Sequence, residues 1–132
     1  MSRPKILIVE NDAYLRSFLT RTLRECGCAV EAVGNYSDGL KQAQVTHFSL
    51  CLTDEVLPDG SGSDLCQQIQ TLNTGVPVVI CYSKEGDGSV AQNAGAQASF
   101  KIGDYMTYRL RELVAQLVSR GVESGRVEMR VS

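Results

Sequence analysis

The chain has 132 residues, 43% of them apolar and 21% charged, with a formal charge of -2. That is the size and balance of one globular domain, which buries roughly two-thirds of its unfolded surface and needs no disulfide or metal staple. A slightly acidic chain disfavours direct nucleic-acid binding, because a phosphate backbone selects a strongly basic face, and no apolar run approaches the roughly 20 residues of a spanning helix.

Met1–Lys5 leads directly into an apolar strand rather than a secretory core, so a cytoplasmic protein without membrane contact is expected. Lys5–Val9 is a β-branched run without alternation, the pattern of a strand covered on both faces. It stops at the polar cluster Glu10-Asn11-Asp12. From Asp12, placed as an N-cap, Leu15, Phe18, Leu19, Thr22 and Leu23 recur at helical spacing, and Gly27 ends the segment. The cycle repeats with a strand at Ala29–Val33, a helix at Ser37–Gln44 and an apolar strand at Phe48–Thr53. A second acidic loop follows, Asp54-Glu55, then Pro58-Asp59-Gly60, with Gly60-Ser61-Gly62 reading as a flexible turn.

Leu65, Ile69 and Leu72 mark a third helix after Ser63-Asp64, and Val78–Tyr82 is the next strand. Between Ser83 and Gly95 the glycines resist helix, leaving only a short segment from Val90 free to form one. Ala98–Ile102 reads as the last strand, and Leu110, Leu113, Val114, Leu117 and Val118 are spaced for an amphipathic last helix. One domain over 4–119 is expected, with a C-terminal tail or linker stub over 120–132.

Cysteines stand at 26, 28, 51, 66 and 81. Cys51, Cys66 and Cys81 lie inside apolar patterns, where a reduced thiol packs as a small hydrophobe, and a single histidine, His47, leaves zinc short of ligands.

Serial βα units without a hairpin signal call for a doubly wound parallel sheet, whose ligand site lies beyond the carboxyl ends of the strands. Those ends carry Glu10, Asn11 and Asp12, then Asp54 and Glu55, then Tyr82 and Ser83, and finally Lys101. Carboxylates gathered at one rim repel unless they stay solvated, protonate or share a cation, and Mg²⁺ needs only one or two of them besides water and a phosphate oxygen. An Asp at a strand end beside such an ion is a nucleophile for a phosphoryl donor, which selects Asp54, with Ser83 and Lys101 placed to hold the transferred oxygens. A dinucleotide site is disfavoured, since no Gly-rich loop follows the first strand. An Asp-type phosphohydrolase is disfavoured by Val56, which stands where a second acid belongs.

Leu52-Thr53-Asp54-Glu55-Val56-Leu57-Pro58-Asp59-Gly60-Ser61-Gly62 resembles the phosphoacceptor strand and loop of response-regulator receiver domains, the phosphoacceptor modules of two-component signalling. Residues 5–12 resemble that family's first strand and acidic pocket, and Gly75–Ile80 its fourth strand. The resemblance covers residues 4 to about 119 and implies a five-stranded flavodoxin-like (CheY-like) α/β fold. It implies Asp54 as phosphoacceptor and Mg²⁺ held among Glu10, Asn11, Asp12, Asp54 and the backbone of Glu55 or Val56. It also implies a sensor histidine kinase or phosphotransfer protein as donor, and an effector domain or downstream protein as recipient.

Three positions depart from the family pattern. Asn11 replaces a carboxylate that usually binds the ion, a change expected to weaken Mg²⁺. Tyr82 stands where a switch Thr or Ser belongs, with Ser83 one place later. Ile102 occupies the position of the family's lysine, with Lys101 one residue early; a one-residue slip turns a strand side chain to the other face. The alternative reading is therefore a pseudo-receiver, an interaction module that works without phosphorylation. Arg109, Arg111 and Glu112 on the last helix mark a candidate homodimer face.

Overall fold

The computed structural model describes residues 3–72, 75–82, 95, 98–101 and 106–120. In chain order the elements are β1 (Lys5–Val9), α1 (Ala13–Glu25), β2 (Ala29–Val33), α2 (Tyr36–Val45), β3 (Leu50–Asp54), β4 (Val56–Leu57), β5 (Gly60–Ser61), α3 (Gly62–Leu72), β6 (Val78–Tyr82), β7 (Ala98–Lys101) and α4 (Met106–Arg120). Five strands form one parallel sheet in the order β2-β1-β3-β6-β7, the doubly wound topology expected, with the order reversing at β1.

The unbroken apolar run of β1 is buried on both faces. Ile6 and Ile8 join Leu19, Leu23, Leu50, Leu52, Val79, Leu110 and Leu113 on the side covered by α1 and α4. Leu7 and Val9 join Cys51, Leu65, Cys66, Ile69 and Ile80 under α2 and α3. Each such side chain contributes roughly 1.5–3 kcal/mol by leaving water, which is why β1 and β3 form the rigid centre of the sheet.

The ends of α1 follow the sequence signals. Asp12 Oδ1 accepts from Leu15 N at 2.9 Å, and at the other end Gly27 adopts φ 93°. Gly27 N donates to Arg24 O, and Cys28 N to Leu23 O, which closes a Schellman cap. Helix α2 is capped by Asn35, whose Oδ1 accepts from Asp38 N at 2.8 Å. A Cβ on Gly39 would lie 2.8 Å from Val9 Cγ2, so only glycine lets α2 rest this closely on β1.

Elsewhere the structure shifts the expected boundaries. Helix α2 gains a residue at each end, and β3 starts at Leu50, with Phe48 buried ahead of it, and runs on through Asp54. Gly60-Ser61 is not a free turn: it pairs antiparallel with Val56-Leu57. Helix α3 begins at Gly62, ahead of the expected start after Ser63-Asp64, because Ser61 Oγ accepts from Asp64 N at 3.0 Å as an N-cap. Strand β6 has its expected bounds and β7 ends at Lys101. Ser83, Ile102 and the segment from Val90 expected to hold a short fourth helix lie outside the described residues, as does 121–132. In α4, Leu110, Leu113 and Val114 are buried as the spacing requires, and the helix includes Arg120. The side chains of Leu117 and Val118 lie outside the description.

All five cysteines are free; Cys28, Cys51, Cys66 and Cys81 are buried and Cys26 is half-buried. Among the described residues no helix is long and apolar enough to cross a membrane.

Candidate functional site

The sheet places the acidic residues. Val9 on β1 is in register with Thr53 on β3, so the next residues, Glu10 and Asp54, emerge side by side at the carboxyl edge where the strand order reverses. Asp54 is itself the last strand residue, in register with Cys81 on β6, and the ladder continues one step further with Glu55 N donating to Cys81 O at 2.9 Å.

Glu10 is 3% exposed. Burial pushes its carboxyl up to about 6; the Asp12 amide draws it down, the charges of Asp54 and Asp12 raise it further, and Arg16 lowers it. The Asp12 amide donates to Glu10 Oε2 at 2.9 Å. Arg16, one turn into α1, closes the same loop from outside: Nη1 donates to Glu10 O at 2.8 Å and to Asn11 O at 3.2 Å. The Asn11 and Asp12 side chains are exposed, and Asp12 is engaged as the α1 cap.

Asp54 is half-buried, and its Oδ1 is shielded from solvent without a hydrogen-bond partner among the described residues. Burial raises its carboxyl above the usual range; the Glu55 and Val56 amides oppose the shift, and the Glu55 and Asp12 charges reinforce it. A buried, unsatisfied carboxylate oxygen is costly in a folded protein, and a cation or a covalent bond at that atom relieves it.

Glu55 does not point into this cluster. Its Oε1 accepts from Ser63 N at 2.8 Å and from Ser63 Oγ at 2.7 Å, and its carbonyl accepts from Gly62 N at 2.9 Å. These bonds fold the chain after Asp54 back onto the start of α3. A Cβ on Gly62 would stand 2.3 Å from Asp54 O, so glycine is required there. The far side of the loop is tied to α2, where the Asp59 carboxylate accepts from the Tyr36 and Ser37 amides.

On the other side of β3, Tyr82 and Lys101 are in register at the ends of β6 and β7. Their backbones thus reach the same edge as Asp54. Sequence reasoning assembled Glu10, Asn11, Asp12 and Asp54 but missed Arg16, Asp59, Gly62 and Ser63. The Ser61-Gly62-Ser63-Asp64 spacing, a cap residue followed three later by an acid, was the one available signal for the early start of α3.

Among the described residues no three His, Cys, Asp or Glu side chains form a ready metal cluster. The donor set still fits magnesium, which keeps most of its waters and takes one or two carboxylates, and Asp54 Oδ1 is a shielded acceptor without a hydrogen-bond partner among the described residues.

A doubly wound sheet with coupled carboxylates at its switch point, one of them ending the central strand, defines a receiver-type signalling module. Comparison with known proteins agrees. The family model for the response regulator receiver domain matches residues 6–102. The chain is 37% identical over 122 residues to the response regulator protein PilR of Pseudomonas aeruginosa, covering 87% of this chain and 26% of that protein. It superposes on a CheY-like receiver domain from Methanospirillum hungatei with a TM-score of 0.79 at 24% identity, covering 91% of this chain and 100% of that one. It also superposes on the receiver domain of the sensor histidine kinase PA1611 from P. aeruginosa, which holds a magnesium ion in its active-site cleft, with a TM-score of 0.80 at 19% identity, covering 89% and 99%. The chain belongs to the response regulator receiver domain family of two-component systems, whose members are signalling modules rather than classical enzymes. It spans about a quarter to a half of the length of the curated relatives it matches.

Proposed function

We propose that this domain, spanning 4–119 with 120–132 as a tail or linker, accepts a phosphoryl group on Asp54 from a histidine kinase or phosphotransfer protein in the cytoplasm. The observation that carries the reading is Asp54 Oδ1, shielded from solvent beside Glu10 and without a hydrogen-bond partner among the described residues. In the transfer, a carboxylate oxygen of Asp54 bonds to phosphorus as the donor's N–P bond breaks, and the histidine ring leaves with the electron pair and takes up a proton.

Magnesium, when bound, neutralises charge on the phosphoryl oxygens as they pass to Asp54. Asp54, Asn11 and Asp12 are its candidate side-chain ligands, with Glu10 holding the loop and drawing the ion by charge. Of the two backbone candidates, Glu55 O already accepts the Gly62 amide, which favours Val56. In this reading Lys101 pairs with the phosphoryl oxygens and Ser83 donates a hydroxyl to them; the backbone of Tyr82 is in register with that of Lys101. The added charge is read out over the surface formed by residues 82–112, to an effector domain, a downstream protein or a second copy through the last helix. The alternative of a phosphorylation-independent module rests only on the altered positions Asn11, Tyr82 and Ile102.

The test is the intact mass after incubation with Mg²⁺ and acetyl phosphate, alongside Asp54→Ala and a metal-free sample. A gain of one phosphoryl group that requires both Asp54 and Mg²⁺ is expected. An unchanged mass, with no amide shifts around Asp54 on adding Mg²⁺ and beryllofluoride, overturns the reading.

A further inference from the structure

Away from the acidic edge, a groove of about 690 Å³ runs between the outer side of α1 and β2, lined by Arg16, Ser17, Thr20, Arg21, Arg24 and Glu25 with Ala32 on its floor. Three guanidiniums against one carboxylate make it strongly basic in a chain that is acidic overall. Arg16 is engaged by the carbonyls of Glu10 and Asn11, but Arg21 and Arg24 have no ion-pair partner among the described residues. Thr20 Oγ1, also in the groove wall, is shielded from solvent and makes no hydrogen bond among the described residues.

The floor of the groove is a sheet edge. Among the described residues strand β2 is the terminal strand and pairs only with β1. Ala29 N bonds to Pro4 O, and Val33 O accepts from Glu10 N, so residues 29, 31 and 33 turn their backbone groups toward β1. By the alternation of a strand, the N–H and C=O groups of Val30 and Ala32 then face outward, a template for one more strand. Side chains of even-numbered β2 residues point to the α1 side, where Val30 and Ala32 pack, so a strand added here presents alternate side chains to the arginines.

We propose that this groove docks an extended acidic segment of a partner protein, which adds to the sheet beside β2 and sets its carboxylates against Arg21 and Arg24. Main-chain bonds to Val30 and Ala32 supply register, and the two arginines select acidic side chains on alternate positions.

The probe is a fluorescein-labelled decapeptide of alternating Glu and Thr, titrated by anisotropy at low and at physiological ionic strength, with a Lys-Thr peptide as control. Saturable binding of the Glu-Thr peptide alone is expected, weakened roughly ten-fold or more by Arg21→Glu with Arg24→Glu and by added salt. Amide exchange at Val30 and Ala32 is expected to slow on binding. Circular dichroism confirms that the double variant is folded. Binding unaffected by the charge reversals, binding without protection at Val30 and Ala32, or no binding at low salt overturns the proposal.

Discussion

Asp59, at the turn between β4 and β5, holds the first amides of α2: Oδ1 accepts from Tyr36 N at 2.7 Å and Oδ2 from Ser37 N at 3.0 Å. The backbone of the next residue lies against the same helix end, for a Cβ on Gly60 would stand 2.7 Å from the Tyr36 ring. The loop that leaves Asp54 is therefore fastened to a helix on the neighbouring strand's side. The amide bonds hold the Asp59 carboxyl below its ordinary value of 3.8. A depressed carboxyl contributes stability above that pH and loses it as the pH falls through the lowered value. Asp59→Ala should lower the urea midpoint at neutral pH, with the gap to the parent narrowing below pH 3.8. A gap of equal size at acid pH would contradict the carboxylate's role.

Gly62→Ala should be the most damaging small substitution in the loop. The methyl group would meet Asp54 O at 2.3 Å and Glu55 Cα at 3.1 Å, backbone on both sides, so strand end and helix must separate. A loss of about 1–3 kcal/mol by urea unfolding is expected, together with impaired phosphoryl uptake. Parent-like values in both measurements would mean the approach is looser than described.

Glu10 gives the metal-free protein the opposite pH sense to Asp59. Its carboxyl is raised from 4.5 to about 6, so the folded state holds a proton that the unfolded state gives up, and stability falls as the pH rises through that window. Glu10→Gln keeps an acceptor for the Asp12 amide and removes the charge. In chelator it should flatten the pH profile and gain about 1–2 kcal/mol near neutrality. Chemical denaturation across the window decides it, a profile as steep as the parent's counting against the assignment. Asp54→Asn should shift stability in the same direction.

Asn11→Asp restores a charge at the exposed tip of the acidic loop. Calorimetric titration with MgCl₂ should show affinity rising by about ten-fold to several-hundred-fold, the worth of one screened ion–carboxylate contact. An unchanged Kd would place the ion out of reach of this side chain.

Most of the architecture was legible because burial on both faces writes itself plainly, as in the unbroken runs of β1 and β6, and because Asp12 and Gly27 bracket α1 with cap chemistry. The acidic edge was legible for the same reason: once strands are placed, Glu10 and Asp54 have to meet. What stayed hidden depends on contacts between distant residues. Asp59 reads locally as a turn residue, and nothing near it in the chain says that its partners lie at Tyr36 and Ser37. Gly60-Ser61 looks mobile until Val56-Leu57 is brought opposite. Arg16 is one more polar position on a helix, and only the fold shows that it reaches back to carbonyls of the loop before it.

Cys81 sits in register with Asp54, and the neighbouring charges of Asp54 and Glu10 add to burial in keeping its thiol protonated. Burial likewise raises Cys28 and Cys66 to about 11 and drives Cys51 up as well. Thiolate is the form that alkylating reagents attack, so four of the five sulfurs are silent in the folded chain. Half-buried Cys26, at the end of α1 remote from the acidic edge, is left as the one position where maleimide dyes or spin labels attach without mutagenesis. A fluorophore placed there sits beside the arginine-lined groove and leaves the Asp54 edge untouched.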